Sequence, residues 1–185
     1  IPDDDTNAIS AYVPDGTKLD YGNNKFSIYE NSDQIIQLFS LGIPEYFIPL
    51  TDTKGKAWSG NPIGVTETLS GYELILETTG RKGTSYSEVT VSSDGVVAKK
   101  GSTVTSLQLF VEEETYGTDL NQDGKIGLLP AGERADYGSG TTSIYEILDV
   151  GHGILADGAT YLTPLTNTRG KAWNGNPIGV TETLS

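Results

Sequence analysis

Residues 46–70 read YFIPLTDTKGKAWSGNPIGVTETLS, and residues 161–185 read YLTPLTNTRGKAWNGNPIGVTETLS. Twenty of the twenty-five aligned positions are identical, at an offset of 115. Upstream, Asp20-Tyr21-Gly22 recurs as Asp136-Tyr137-Gly138, and Ser27-Ile28-Tyr29-Glu30 as Ser143-Ile144-Tyr145-Glu146, at an offset of 116, so one residue is lost between the two blocks. The period far exceeds the roughly 20–50 residues of solenoid repeats and matches a small domain. The expectation is tandem β-rich domains strung as beads, each with its own core. Residues 20–135 make one complete repeat and 136–185 the first part of the next. The phase is open, because 71–185 also spans one period. Residues 1–19 read as the tail of a preceding repeat. The chain starts at Ile1 without a signal peptide, which suggests a piece of something longer.

Inside the period the pattern is mostly that of strands. Residues 72–78 alternate, with Tyr72, Leu74 and Leu76 on one face and Ile75 between Glu73 and Glu77 on the other. Residues 85–92 alternate as well, and Asp94-Gly95 turns the chain into Val96-Val97. Residues 25–29 and 46–50 read as short strands, with Pro49 placing the second at an edge or bend. Residues 33–39 fit a short helix or a buried strand equally poorly. Residues 51–64 read as loop. One helix is expected over 106–115, from Leu107, Phe110 and Val111 at i, i+3, i+4. Thr105 and Gln108 offer it a capping box and Gly117 a stop.

That helix leads into TDLNQDGKIG, residues 118–127. Asp119, Asn121 and Asp123 alternate, Gly124 follows, and Lys125 can offer its carbonyl. This is the first half of an EF-hand pattern. Calcium takes about six to eight oxygens, so a loop curling round it points alternate side chains inward and needs a sharp glycine turn. Position twelve, where an EF-hand has a bidentate Glu, is Pro130. Glu114, Glu133, Asp136 or water are the candidates to complete the shell; the other reading is an ion-free Asx-rich turn. Asp3, Asp5 and Asn7 repeat the pattern at the 116 offset with Ala8 in place of glycine, which predicts a weak second site or none.

Composition narrows the function. The chain carries 25 acidic and 12 basic residues, a net charge of −13, so nucleic acid is a poor partner and divalent cations are attracted. With no cysteine there is no disulfide framework or thiolate nucleophile. No apolar run is long enough to span a membrane. P-loop, G-x-S-x-G and H-E-x-x-H motifs are missing. The only histidine, His152, matches the position of Ile36 or Gln37 in the other copy, which speaks against a repeated histidine mechanism. The dinucleotide-like run 151–156 lacks the required strand–helix setting. Trp58 and Trp173 occupy equivalent glycine-rich loops and read either as sugar-stacking platforms or as plugs pinning a loop to a sheet.

In order and spacing, Ala57-Trp58, then 61–68, Gly71-Tyr72-Glu73-Leu74, Asp94-Gly95 and the run 114–127 resemble a known family. It is the tryptophan-rich C-terminal repeat domain of cyanobacterial (Synechocystis-type) haemolysin-like, RTX-like secreted proteins. The likeness covers 20–127 and again 136–185. The family's second tryptophan is missing near Val89 and Val91, and Gln122 stands where glycine is usual. The resemblance implies a calcium-dependent module of large secreted or surface proteins, without implying an activity. The sequence therefore predicts a non-catalytic, calcium-stabilised extracellular repeat of a surface, adhesin, sheath or filament protein. Its partners would be neighbouring repeats or copies of itself. The alternative is a carbohydrate-binding module that grips cell-surface glycans through the Trp58 and Trp173 loops.

Overall fold

The strongest alternation in the chain becomes the centre of a sheet covered on both faces. The computed structural model describes residues 16–22, 25–41, 46–130, 134–136, 141–147, 151–173, 175, 177, 179 and 180. Among these it is mainly β. Strands β1 (Thr17–Lys18), β2 (Phe26–Glu30), β3 (Ile36–Ser40) and β4 (Tyr46–Pro49) form an antiparallel meander. Strands β5 (Pro62–Thr68), β6 (Gly71–Gly80), β7 (Gly83–Ser92) and β8 (Ser102–Val104) form a second meander. Helix α1 (Ser106–Tyr116) follows, and then a third antiparallel sheet of β9 (Ser143–Ile147), β10 (Gly151–Leu155) and β11 (Thr163–Pro164).

The first two sheets pack face to face. Phe26, Ile28, Ile36, Leu38 and Leu50 meet Val65, Tyr72, Leu74, Val89, Val91 and Val97 in one core, with Trp58 and Leu76 against its margin. Phe26 and Tyr72 close it edge to face, with ring centroids 5.2 Å apart. The opposite face of the second sheet carries α1. There Ile63, Ile75 and Val104 pack on Leu109, Tyr116 and Leu120. Ile75 is therefore fully buried although it sits between two glutamates. Full burial of such a side chain is worth about 1.5–3 kcal/mol.

One open alternative is decided and two local expectations need correction. Residues 33–39 take the buried-strand alternative: Gln34 turns the chain at φ 60, and β3 begins at Ile36. The stretch 51–64 is not all loop, since β5 starts at Pro62 with a register shift before Gly64. The buried stripe of α1 is Leu109, Glu113 and Tyr116, while Val111 is 40% exposed. A glutamate in the middle of that i, i+4, i+7 stripe made it read as polar. Leu107 and Phe110 are half-buried beside Lys171 and Ala172 instead.

The third sheet pairs its strands in the same register as the corresponding strands of the first. Ile144 pairs with Ile154 as Ile28 pairs with Leu38. Leu38 then pairs with Ile48, but Ile154 with Thr163, which puts the lost residue between the second and third strands of the later copy. Asp52 accepts the amides of Lys54 and Lys56 at 2.8 and 3.0 Å, and Asn167 those of Arg169 and Lys171 at 2.9 and 3.2 Å. One Asx oxygen suffices for this turn, so Asp and Asn interchange there. No helix among the described residues is long and apolar enough to cross a membrane.

Candidate metal loop and tryptophan loops

Helix α1 starts and stops where its ends dictate. The Thr105 hydroxyl accepts the Gln108 amide at 3.2 Å, and the Gln108 side chain accepts the Thr105 amide at 2.9 Å. At the other end Gly117 takes a left-handed φ of 57, and its amide donates to the Glu113 carbonyl. Leu120, 1% exposed, then pins the outgoing chain to the second core.

The loop closes on its own side chains. The two carboxylate oxygens of Asp119 accept the amides of Asp123 and Gly124 at 3.1 and 2.8 Å. Asn121 Oδ1 also accepts from Asp123, at 2.8 Å, and Asp123 Oδ1 accepts from Lys125 at 2.9 Å. Gln122 and Gly124 supply positive φ values of 60 and 86. Nothing lies within 4 Å of where a Cβ on Gly124 would stand, so its role is conformational and not one of space.

The residue that ties this loop to the helix is Glu113, which the sequence reading passed over for Glu114. Glu113 is fully buried. Its Oε1 accepts the Asn121 amide at 3.1 Å, and its Oε2 accepts the Gly127 amide at 2.9 Å. Burial pushes its acidity towards a higher pKa; the two amides pull it down, and the charges of Asp123 and Asp119 push it up again. A signal for it was present in sequence: an acid i+4 from Leu109 and three before Tyr116, on the buried stripe.

The candidates for closing a calcium shell separate. Glu114 is exposed and lies against the loop's far end, its Cγ 3.0 Å from where a Cβ on Gly127 would be. Asp136 is engaged by other partners. Arg134 grips both its oxygens, at 2.8 and 2.7 Å, and the Ile144 amide donates to it at 2.7 Å. Asp136 is thus a structural bolt, as Asp20 is beneath Ile28 and Lys18 in the earlier copy. Pro130 is exposed and offers no carboxylate at position twelve. Glu133 and the weak-site residues Asp3, Asp5 and Asn7 lie outside the described residues. Among the described residues, no three His, Cys, Asp or Glu side chains gather as a metal cluster. The loop's donors are two carboxylates, one amide oxygen and one carbonyl. These are hard oxygen ligands of the kind calcium takes, and about half the usual number.

Both tryptophans are held alike. The amides of Trp58 and Trp173 donate to Leu50 and Leu165 at 2.9 Å each. Each indole lies over a glycine, Gly60 or Gly175, where a Cβ would stand 2.3 or 2.0 Å from the six-membered ring. Trp58 packs on the first core, whereas Trp173 is 38% exposed. His152, at the position of Ile36, meets Trp173 edge to face with centroids 6.1 Å apart.

Comparison with protein families, with characterised proteins and with solved structures finds no match for this chain.

Proposed function

We propose that this chain is a non-catalytic, calcium-stabilised extracellular repeat module of a large surface, adhesin, sheath or filament-forming protein. Calcium would be held by Asp119, Asn121, Asp123 and the Lys125 carbonyl, with water filling the remaining positions. The observation that carries this reading is the placement of the loop. Glu113 fastens it to α1 at Asn121 and Gly127, and Gly127 lies against Tyr161 of the next copy. The Leu162 amide donates to the Leu128 carbonyl at 2.7 Å, one residue beyond. An ion here would offset the mutual repulsion of Asp119, Asp123 and Glu113 at the joint between two copies, and would stiffen that joint.

Tandem copies with fixed joints give a long, regular rod, which suits a surface or filament protein. The test is thermal unfolding of the chain and of Asp123→Ala, each with excess calcium and with excess chelator. At free calcium about 100 times Kd the ion adds roughly 2.7 kcal/mol. That corresponds to a rise in midpoint on the order of ten degrees for a domain of this size. The parent is expected to show that rise and the variant to lose it. Equal midpoints for the parent in both media would reduce the loop to a turn.

A further inference from the structure

Four Asp-Gly pairs occur in the chain, at 15–16, 94–95, 123–124 and 157–158. Such a pair is open to attack on itself. The glycine amide nitrogen can close on the aspartate Cγ, because the residue that follows carries no Cβ to obstruct the ring. Closure needs an amide that no acceptor holds and a carboxyl free to swing over it. Asp15 lies outside the described residues, and the other three pairs differ.

At Asp94-Gly95 both groups are held. The Gly95 amide donates to the Ser92 carbonyl at 2.9 Å, and the Asp94 carboxylate accepts the Ser92 hydroxyl. Gly95 is also buried, against Pro49 and Ile48. At Asp123-Gly124 the Gly124 amide donates to Asp119 at 2.8 Å, and the Asp123 carboxylate accepts the Lys125 amide at 2.9 Å. Asp157-Gly158 is the contrast. Residues 156–160 are exposed, and the Ala159 amide closes the turn on the Ala156 carbonyl at 3.1 Å. Among the described residues, neither the Asp157 carboxylate nor the Gly158 amide has a partner. Gly158 stands at φ 73, with nothing within 4 Å of where a Cβ would be. The matching residue of the first copy, Leu41, is 57% exposed although the β6–β7 hairpin covers that sheet, so this turn stays open in a covered copy.

We propose that Asp157-Gly158 is a site of spontaneous isoaspartate formation, and that their turns protect the pairs at 94 and 123. The Gly158 nitrogen forms a bond to Asp157 Cγ; the carboxyl oxygen leaves as water, taking the amide proton with it. Water then opens the ring at the former main-chain carbonyl of Asp157. That releases a new α-carboxylate and leaves Gly158 attached through Cγ. One water is lost and one regained, so the mass is unchanged. The main chain is now longer by a methylene just before Tyr161 and Leu162, which meet Gly127 and Leu128 at the joint between the copies.

The test holds the full chain in warm neutral buffer with chelator, folded in one sample and unfolded in urea in the other. Peptides from each time point are read by electron-transfer fragmentation, which separates the two isomers. Deamidation at Asn174-Gly175 changes the mass and so is not confused with them. In urea Asp94, Asp123 and Asp157 should convert at similar rates. In the folded chain Asp157 should keep a rate of the same order, while Asp94 and Asp123 fall by more than about tenfold, because each must first open locally. Asp157→Glu, whose longer side chain closes the ring poorly, should remove the signal at 157 and leave the thermal midpoint unmoved. A folded chain in which Asp157 slows as much as Asp94 and Asp123, or in which all three convert as fast as in urea, overturns the proposal.

Discussion

The carboxylate of Glu113 holds the amide of Gly127, fourteen residues further on, at 2.9 Å, and its other oxygen holds the amide of Asn121 at 3.1 Å. One buried side chain thus spans the whole loop from Asn121 to Gly127. Removing it would leave a buried amide at Gly127 without its acceptor, and orphaned groups of this kind cost about 1–3 kcal/mol each. Glu113→Ala is expected to lower stability by roughly 3 kcal/mol in urea unfolding. Glu113→Gln keeps one acceptor oxygen and should fall between parent and alanine. The adjacent Glu114→Ala, on the exposed side of the helix, should stay within about 0.5 kcal/mol. Equal effects at 113 and 114 would refute the clamp.

A second cluster of acids makes stability depend on pH. Glu88 and Glu112 have their pKa values raised, first by burial and then by neighbouring charge: Glu73 for Glu88, and Glu88 and Glu73 for Glu112. A carboxyl with a raised folded pKa binds its proton more tightly in the fold than in the unfolded chain. The cost of ionising it is therefore full at neutral pH and is relieved as pH falls from the raised value through the ordinary carboxylate range. Glu112→Gln removes the charge, so the thermal midpoint at pH 7 should rise, modestly because solvent still screens the half-buried group. The difference between variant and parent should shrink towards zero near pH 4. A gain that is the same at both pH values would count against this account.

The parts of this fold that were legible were those whose signal is local. The alternation at 72–78, the turn at Asp94-Gly95, the Thr105–Gln108 box and the Gly117 stop all rest on contacts within a few residues, and each lies where the pattern put it. The elements left undecided depend on distant partners. Residues 36–40 become a strand because β2 and β4 flank them, which no local period announces. Ile75 is buried because a helix some thirty residues later lies over it. The turn at 118–127 was visible through its alternating Asp and Asn oxygens, which accept its amides. Its true anchor was not, because Glu113 earns its place through amides eight and fourteen residues away. Asp136 looked near the loop in sequence and is instead bolted under Ile144 by Arg134.

The capping box gives a prediction about a single hydroxyl. Thr105 satisfies the Gln108 amide and receives no help from an acidic residue in the first turn of α1. Thr105→Ala should therefore cost about 1 kcal/mol. Thr105→Ser should restore most of it, since the oxygen and not the methyl does the capping. Circular dichroism during urea unfolding would show both, and a loss that serine does not recover would point to packing of the methyl instead.

The two tryptophans allow the plug and the sugar platform to be told apart. Trp58 rests on Gly60 and on the margin of the first core, while Trp173 makes the same turn over an open face. If both indoles are plugs, their worth follows what lies beneath them. Trp58→Ala should then cost about 2–3 kcal/mol, less than the roughly 3–5 of a wholly buried aromatic, and Trp173→Ala clearly less. Gly60→Ala should act like Trp58→Ala, because a Cβ at Gly60 would stand 2.3 Å from the indole and force it off its seat. Glycan arrays probed with parent, Trp58→Ala and Trp173→Ala should give no tryptophan-dependent signal. A glycan lost with either tryptophan, in a variant whose midpoint has not moved, would transfer these loops from the scaffold to a binding site.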